Sequence, residues 1–84
     1  MRTIFEDLAL EHLEEWVQTD RKIATKILQF INEIKRTPFE GKGKPEPLKH
    51  NLKGLWSRRI TDEHRLVYKV EENQITIVSC RHHY

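Results

Sequence analysis

The chain of 84 residues has the length of one small domain, and its 37% hydrophobic and 33% charged residues suit a core under a charged surface and exclude a disordered chain. No stretch approaches the roughly 20 apolar residues that span a bilayer, and the N-terminal MRTIFEDLALEHLEE lacks the basic start, apolar core and cleavage site of a secretory signal. The single Cys80 has no partner for an internal disulfide, which fits a reducing compartment and a cytoplasmic protein.

The elements follow in chain order. Thr3-Ile4-Phe5 is β-branched or aromatic and reads as an edge strand. From Asp7 the period turns helical: Ala9, Leu13, Trp16 and Val17 form an inward stripe while Glu11, Glu14, Glu15 and Gln18 face away. Thr19-Asp20 interrupts the pattern, and either residue can cap a second helix marked by Ile23, Ile27, Phe30, Ile31 and Ile34. That helix should stop before Thr37-Pro38, because proline disfavours helical geometry in the residue before it. Trp16 and Phe30 are read as core. Phe39–Pro45 is punctuated by glycine and proline and reads as a mobile basic loop; its spacing does not match a phosphate-binding GxxxxGK[ST] loop. Pro47–Leu52 is expected to form one helical turn with Leu48 and Leu52 inward.

After Gly54 the period changes to two. Strands are predicted at Leu55–Ile60, Arg65–Val70 and Gln74–Tyr84, with turns at Thr61–His64 and Glu71–Asn73. A three-residue loop at Glu71–Asn73 would pair Val70 with Gln74. Arg65 and Val67 would then share a face with Ile77, Ser79, Arg81 and His83, and Leu66, Tyr68, Val70, Val78 and Cys80 would face the core. A two-residue loop would flip this pairing and separate Arg65 from His83. The whole reads as one α+β domain over residues 1–84: two N-terminal helices on one face of a twisted antiparallel sheet.

The net charge of +2 conceals an uneven distribution. Residues 1–34 carry −3, residues 35–69 carry +6 and residues 70–84 carry −1. A basic middle suits a polyanion such as RNA, DNA or an acidic polypeptide; the plain alternative is a solvated basic face. Cys80, His82 and His83 do not make a convincing zinc site. Consecutive strand residues point to opposite faces, and no CxxC or HxxxH spacing is present. No metal or other cofactor is expected.

The string RTPFEGKGKPEPLKHNLKGLWSRRITDEHRLVY, residues 36–68, together with the ending CRHHY, resembles the signature of YoeB (Txe) toxins, a branch of the RelE-like superfamily. The resemblance spans essentially the whole chain and is looser in the N-terminal helices. It implies a RelE-like fold of two helices on a twisted antiparallel sheet. It also implies the toxin of a type II toxin–antitoxin pair, an endoribonuclease that enters the ribosomal A site, contacts ribosomal RNA and cuts mRNA. An acidic antitoxin of the YefM type would neutralise it, and such toxins can form homodimers. No membrane partner is implied.

The family's active-site residues fall on Glu46, Arg65, His83 and Tyr84. Cleavage of RNA without a metal needs a base for the 2′-hydroxyl, a cation for the phosphate and an acid for the leaving oxygen. Glu46 is the candidate base, His83 the candidate acid and Arg65 the phosphate holder. Tyr84 would stack on a base or position the phosphate. Lys49, Arg59 and Arg81 are candidate substrate-binding residues. Taken singly, each has a plainer reading: Glu46 a solvated loop acid, Arg65 a strand arginine paired with Asp62 or Glu63, His83 a surface imidazole. His12 and His64 are left as surface residues, and Trp56 and Tyr68 as core or interface. The competing function is a non-catalytic RNA- or ribosome-binding module resting on the basic groove alone; a third is co-repression of an operon.

Overall fold

Two helices, Asp7–Thr19 (α1) and Arg21–Arg36 (α2), meet at a single residue, Asp20. Its backbone N–H closes α1 on the Trp16 carbonyl at 2.7 Å. Its carboxylate accepts from the Lys22 and Ile23 amides at 3.2 and 3.4 Å, capping α2. Such a cap contributes about 1 kcal/mol and lets the chain reverse with no loop. Lys35 and Arg36 occupy the last turn of α2, where cations complement the helix dipole. The helix stops at Arg36, as the following Thr37-Pro38 requires.

The computed structural model describes residues 1–82; His83 and Tyr84 lie outside the described residues. Strands Arg2–Phe5 (β1), Glu46–Pro47 (β2), Leu55–Arg59 (β3), Arg65–Glu71 (β4) and Gln74–Ser79 (β5) form a sheet in the order β1-β5-β4-β3-β2. All neighbours are antiparallel except β1, which runs parallel to β5 from Arg2↔Gln74 to Phe5↔Ile77. The α+β architecture matches the expectation, but the sheet is mixed. No described helix is long and apolar enough to cross a membrane.

The core joins Ala9 and Trp16 of α1, Ala24, Ile27, Phe30, Ile31 and Ile34 of α2, and Ile60, Leu66, Tyr68, Ile75, Ile77 and Cys80 from the sheet side. Val17, expected in the inward stripe, is 45% exposed. At about 100° per residue it lies roughly 80° around from Ala9, at the rim of the buried face, whereas Trp16 lies within about 20°.

The β4–β5 hairpin corrects the predicted register. Glu71 pairs with Gln74, so the loop has two residues, Glu72 and Asn73. Ile75 and Ile77 therefore join the core opposite Val70 and Tyr68, and the half-buried Val78 does not belong to it. The pairing then slips: Tyr68 faces Ile77, but Val67 faces Ser79. One residue of β4 is matched by two of β5, which makes Val78 the extra residue of a β-bulge. The bulge restores the expected parity beyond it, with Val67 and Ser79 paired and Cys80 turned into the core. Regular strand ends at Ser79 rather than at the predicted Tyr84.

Pro47–Leu52 also differs from expectation. Glu46–Pro47 pairs with β3, and a turn of 3₁₀ helix follows only at His50–Leu52. Leu48 and Leu52 are half-buried.

Candidate active site

Glu46 stands between Pro45 and Pro47, which fix their own φ and favour an extended backbone before them. Proline cannot complete a central ladder, so this segment is confined to the sheet edge. The pairing Glu46↔Ser57, continued by Ser57↔Val67, lays Glu46 over the sheet face opposite the helices. One pleat along, Arg59 pairs with Arg65. Arg65 thus lies diagonally from Glu46 with β3 between them, and the two long side chains reach across that strand.

The two meet there. Arg65 Nη1 lies 3.8 Å from Glu46 Oε1, with 21% of the arginine side chain and 62% of the glutamate side chain exposed. This is beyond hydrogen-bond range, so both groups remain available to a third. Together with Leu48, Ser57 and Val67 they line a small cavity of about 70 Å³. Arg65 Nε is buried and has no hydrogen-bond partner among the described residues. The Arg65 backbone N–H donates to the His82 carbonyl at 2.8 Å, tying the candidate phosphate holder to the C-terminal segment.

Arg59 is exposed and lines a larger hollow of about 490 Å³ with Lys26, Phe30, Lys42, Lys44 and Asp62. Four cations against one carboxylate make this hollow basic, but among the described residues it has no acid paired to a cation in the way Glu46 is to Arg65. The smaller cavity therefore fits the chemistry and the larger one fits a polyanion's path. Lys49 is exposed at the start of the 3₁₀ turn and is not brought into either cavity. Arg81 is drawn elsewhere: its guanidinium pairs with Glu15 of α1 and lies 5.4 Å from the Trp16 ring centroid. The structure thus brings together Glu46 and Arg65, sets Arg59 beside them, and leaves Arg81 on the helix side. His83 and Tyr84 fall outside the described residues.

Three residues that the sequence reading did not assign to the site shape its edge. Arg58 is completely buried. Its Nη1 pairs with Glu33 of α2 at 2.9 Å and its Nη2 donates to the Thr37 and Glu40 carbonyls at 2.7 and 2.9 Å. Glu33 also accepts from the Lys42 amide at 2.7 Å. The Lys42 amide foremost, helped by the Arg58 guanidinium and opposed by burial, holds the Glu33 carboxyl below its ordinary pKa. Tyr68 donates its hydroxyl to the Pro38 carbonyl at 2.8 Å. The loop expected to be mobile is therefore anchored to the core just before it delivers Lys44 and Glu46. A signal existed: Arg58 falls at the inward parity of Trp56 and Ile60, where an unpaired cation is costly.

Cys80 is buried, its thiol directed to the Ala9 carbonyl at 3.6 Å. Burial, aided by Glu15, pushes its pKa up to about 12, so it stays a neutral thiol.

A family model described as a YoeB-like toxin of bacterial type II toxin–antitoxin systems matches residues 5–84. Toxin YoeB of Escherichia coli K12 is 54% identical over 84 residues, covering the whole of both chains. Among solved structures, a YoeB/ParE toxin from Agrobacterium tumefaciens superposes with a TM-score of 0.97 at 44% identity, over the whole of both chains. A YoeB dimer from Staphylococcus aureus gives 0.93 at 46% identity, and that organism's heterotetrameric YoeB–YefM complex gives 0.91 at 46%. Each covers all of this chain and 98% of the other. With the family model matching nearly the full length, the chain belongs to the YoeB-like toxins of bacterial type II toxin–antitoxin systems.

Proposed function

We propose that this toxin is an endoribonuclease that cuts mRNA in the ribosomal A site, by attack of the 2′-hydroxyl on the adjacent phosphate. The observation that carries the reading is the meeting of Glu46 and Arg65 at 3.8 Å, with Arg59, the strand partner of Arg65, lining a basic hollow. An incoming phosphate competes for Arg65 and releases Glu46 from its weak ion pair. Glu46 then takes the 2′ proton as the oxygen bonds to phosphorus. Arg65 balances the added negative charge. The bond to the 5′-oxygen breaks as His83 supplies a proton, leaving a 2′,3′-cyclic phosphate and a 5′-hydroxyl. Tyr84 stacks on or orients the substrate. Arg59 and Lys49 hold flanking phosphates or ribosomal RNA. Arg81, already engaged by Glu15, has a structural place instead. The reaction as proposed draws on no cofactor.

The reading treats residues 1–84 as one functional domain working where ribosomes are, in the cytoplasm. By analogy with the S. aureus YoeB–YefM heterotetramer, an acidic YefM-type antitoxin neutralises it. The S. aureus YoeB dimer supports self-association in its absence. The basic hollow alone also suits a non-catalytic ribosome-binding module. Glu46→Gln separates the two readings: a nuclease loses cleavage and keeps ribosome binding, whereas a module shows no cleavage to lose.

A further inference from the structure

The segment Cys80–His82 is held at four of its six backbone polar groups. The Trp16 indole N–H donates to the Cys80 carbonyl at 2.8 Å. The Cys80 amide donates to His12 Nδ1 at 3.2 Å, and the His82 amide donates to His64 Nδ1 at 2.8 Å. The His82 carbonyl accepts from the Arg65 amide at 2.8 Å. Two imidazoles, one from α1 and one from the β3–β4 turn, thus serve as acceptors for a backbone that has left the regular sheet.

Neither ring is placed casually. His64 has 12% of its side chain exposed and stands edge-on to Trp16, with centroids 4.8 Å apart and planes at 83°. Its own turn is preset: Thr61 Oγ1 accepts from the Glu63 and His64 amides at 3.2 and 3.1 Å, and the His64 carbonyl accepts from the Ile60 amide at 2.9 Å. A backbone amide can only donate, so Nδ1 of each ring must be the unprotonated nitrogen. Between these grips His82 adopts φ +63°, a region that residues bearing a Cβ rarely enter. Hydrogen bonds on both sides of His82 offset that strain.

Sequence makes the consequence clear. His82 is bonded directly to His83, the proposed acid, and its carbonyl is tied to the backbone of Arg65, the proposed phosphate holder. We infer that His64 and His12 are positioning residues of the cleavage site, neutral imidazoles whose Nδ1 atoms fix the backbone that delivers His83. This rests on the ribonuclease reading. Neither ring is asked to touch substrate.

The test exploits the near-coincidence of an asparagine Oδ1 with a histidine Nδ1. His64→Ala removes the acceptor, His64→Asn keeps it, and His64→Gln moves it outward; the same series applies to His12. Single-turnover cleavage on programmed ribosomes should fall on the order of 10–100-fold in His64→Ala, the scale of a small misplacement of a reacting group. The half-saturating ribosome concentration should stay nearly constant. His64→Asn should recover most of the rate and His64→Gln should not. Independently of cleavage, uniformly ¹⁵N-labelled protein should show trans-hydrogen-bond ¹⁵N–¹⁵N couplings between His64 Nδ1 and the His82 amide, and between His12 Nδ1 and the Cys80 amide. Where an alanine variant fails to fold, the Asn and Gln pair carries the comparison.

Equal cleavage by wild type and folded His64→Ala overturns the positioning role while leaving the ribonuclease reading intact. Loss in His64→Ala that His64→Asn does not restore overturns it as well, since the acceptor is then not the feature that matters. Couplings present with no cleavage by wild type overturn the ribonuclease reading, and the positioning role falls with it.

Discussion

The buried Arg58 of β3 and the partly exposed Glu33 of α2 form an ion pair of 2.9 Å, and the same guanidinium collects three carbonyls of the loop between them, those of Thr37, Glu40 and Lys42. The fold uses one arginine as a staple joining helix, sheet and loop. Removing the arginine leaves these carbonyls without their donor, at a cost of about 1–3 kcal/mol for each that stays dry. Arg58→Ala should lower the urea midpoint by that equivalent. Glu33→Gln should cost less, because the three carbonyls still hold the guanidinium. A change below about 1 kcal/mol in Arg58→Ala would sink the staple.

The loop's glycines differ in what surrounds them. Gly43 has φ +83°, and an added Cβ would stand 2.9 Å from Phe30 Cε2 and 3.0 Å from the Arg59 carbonyl. Gly54 has φ +99° with open space around it. Gly54→Ala should therefore cost only the backbone term, about 1–2 kcal/mol. Gly43→Ala should cost clearly more, read from paired denaturation curves. Equal costs would mean that the loop gives way at Gly43.

Stability should also depend on pH through His12. Burial lowers its pKa below 6.5; His82 and Arg81 act in the same direction, while Glu15 and Glu11 oppose. The unfolded chain therefore binds more protons than the folded one between the folded value and 6.5. The stabilising contribution is fully present above 6.5 and is lost as pH falls through the folded pKa. Protonation would also remove the acceptor that holds the Cys80 amide. In His12→Asn this part of the acid-side loss should disappear, as followed by thermal melts from pH 7.5 to 5. A pH profile that is unchanged in that variant would contradict the assignment.

Arg59 and Arg81 were equivalent candidates on sequence grounds, and the structure separates them. Arg59 lines the basic hollow, whereas Arg81 is neutralised by Glu15. Arg59→Ala should reduce the slope of log affinity for ribosomes against log salt by about 0.7–1. Arg81→Ala should leave that slope in place. Equal loss in both variants would show that the Glu15 pair opens on binding.

The helical hairpin is legible in the sequence because Ile23, Ile27, Phe30, Ile31 and Ile34 recur at the helical period and Asp20 offers a cap. The pairing of β4 with β5 is less so. A two-residue turn and a bulge at Val78 each shift the register, and the two shifts compensate, so Arg65 keeps the expected parity for a reason no alternation pattern reveals. The parallel docking of β1 is likewise hidden, since it joins strands some seventy residues apart. Glu46 and Arg65 are identifiable from the family motif, and their meeting follows from strand pairing. His12 and His64 are not, because a histidine accepting from a backbone amide leaves no mark on its sequence neighbours.

The most direct test maps new 5′ ends on programmed ribosomes, with naked mRNA in parallel, for wild type and Glu46→Gln. The account predicts cuts confined to the A-site codon with 5′-hydroxyl ends, a rate roughly 10²–10⁴-fold lower in Glu46→Gln, and equal ribosome binding by both proteins. Tight ribosome binding without cleavage by wild type, or cleavage that Glu46→Gln leaves untouched, would contradict it.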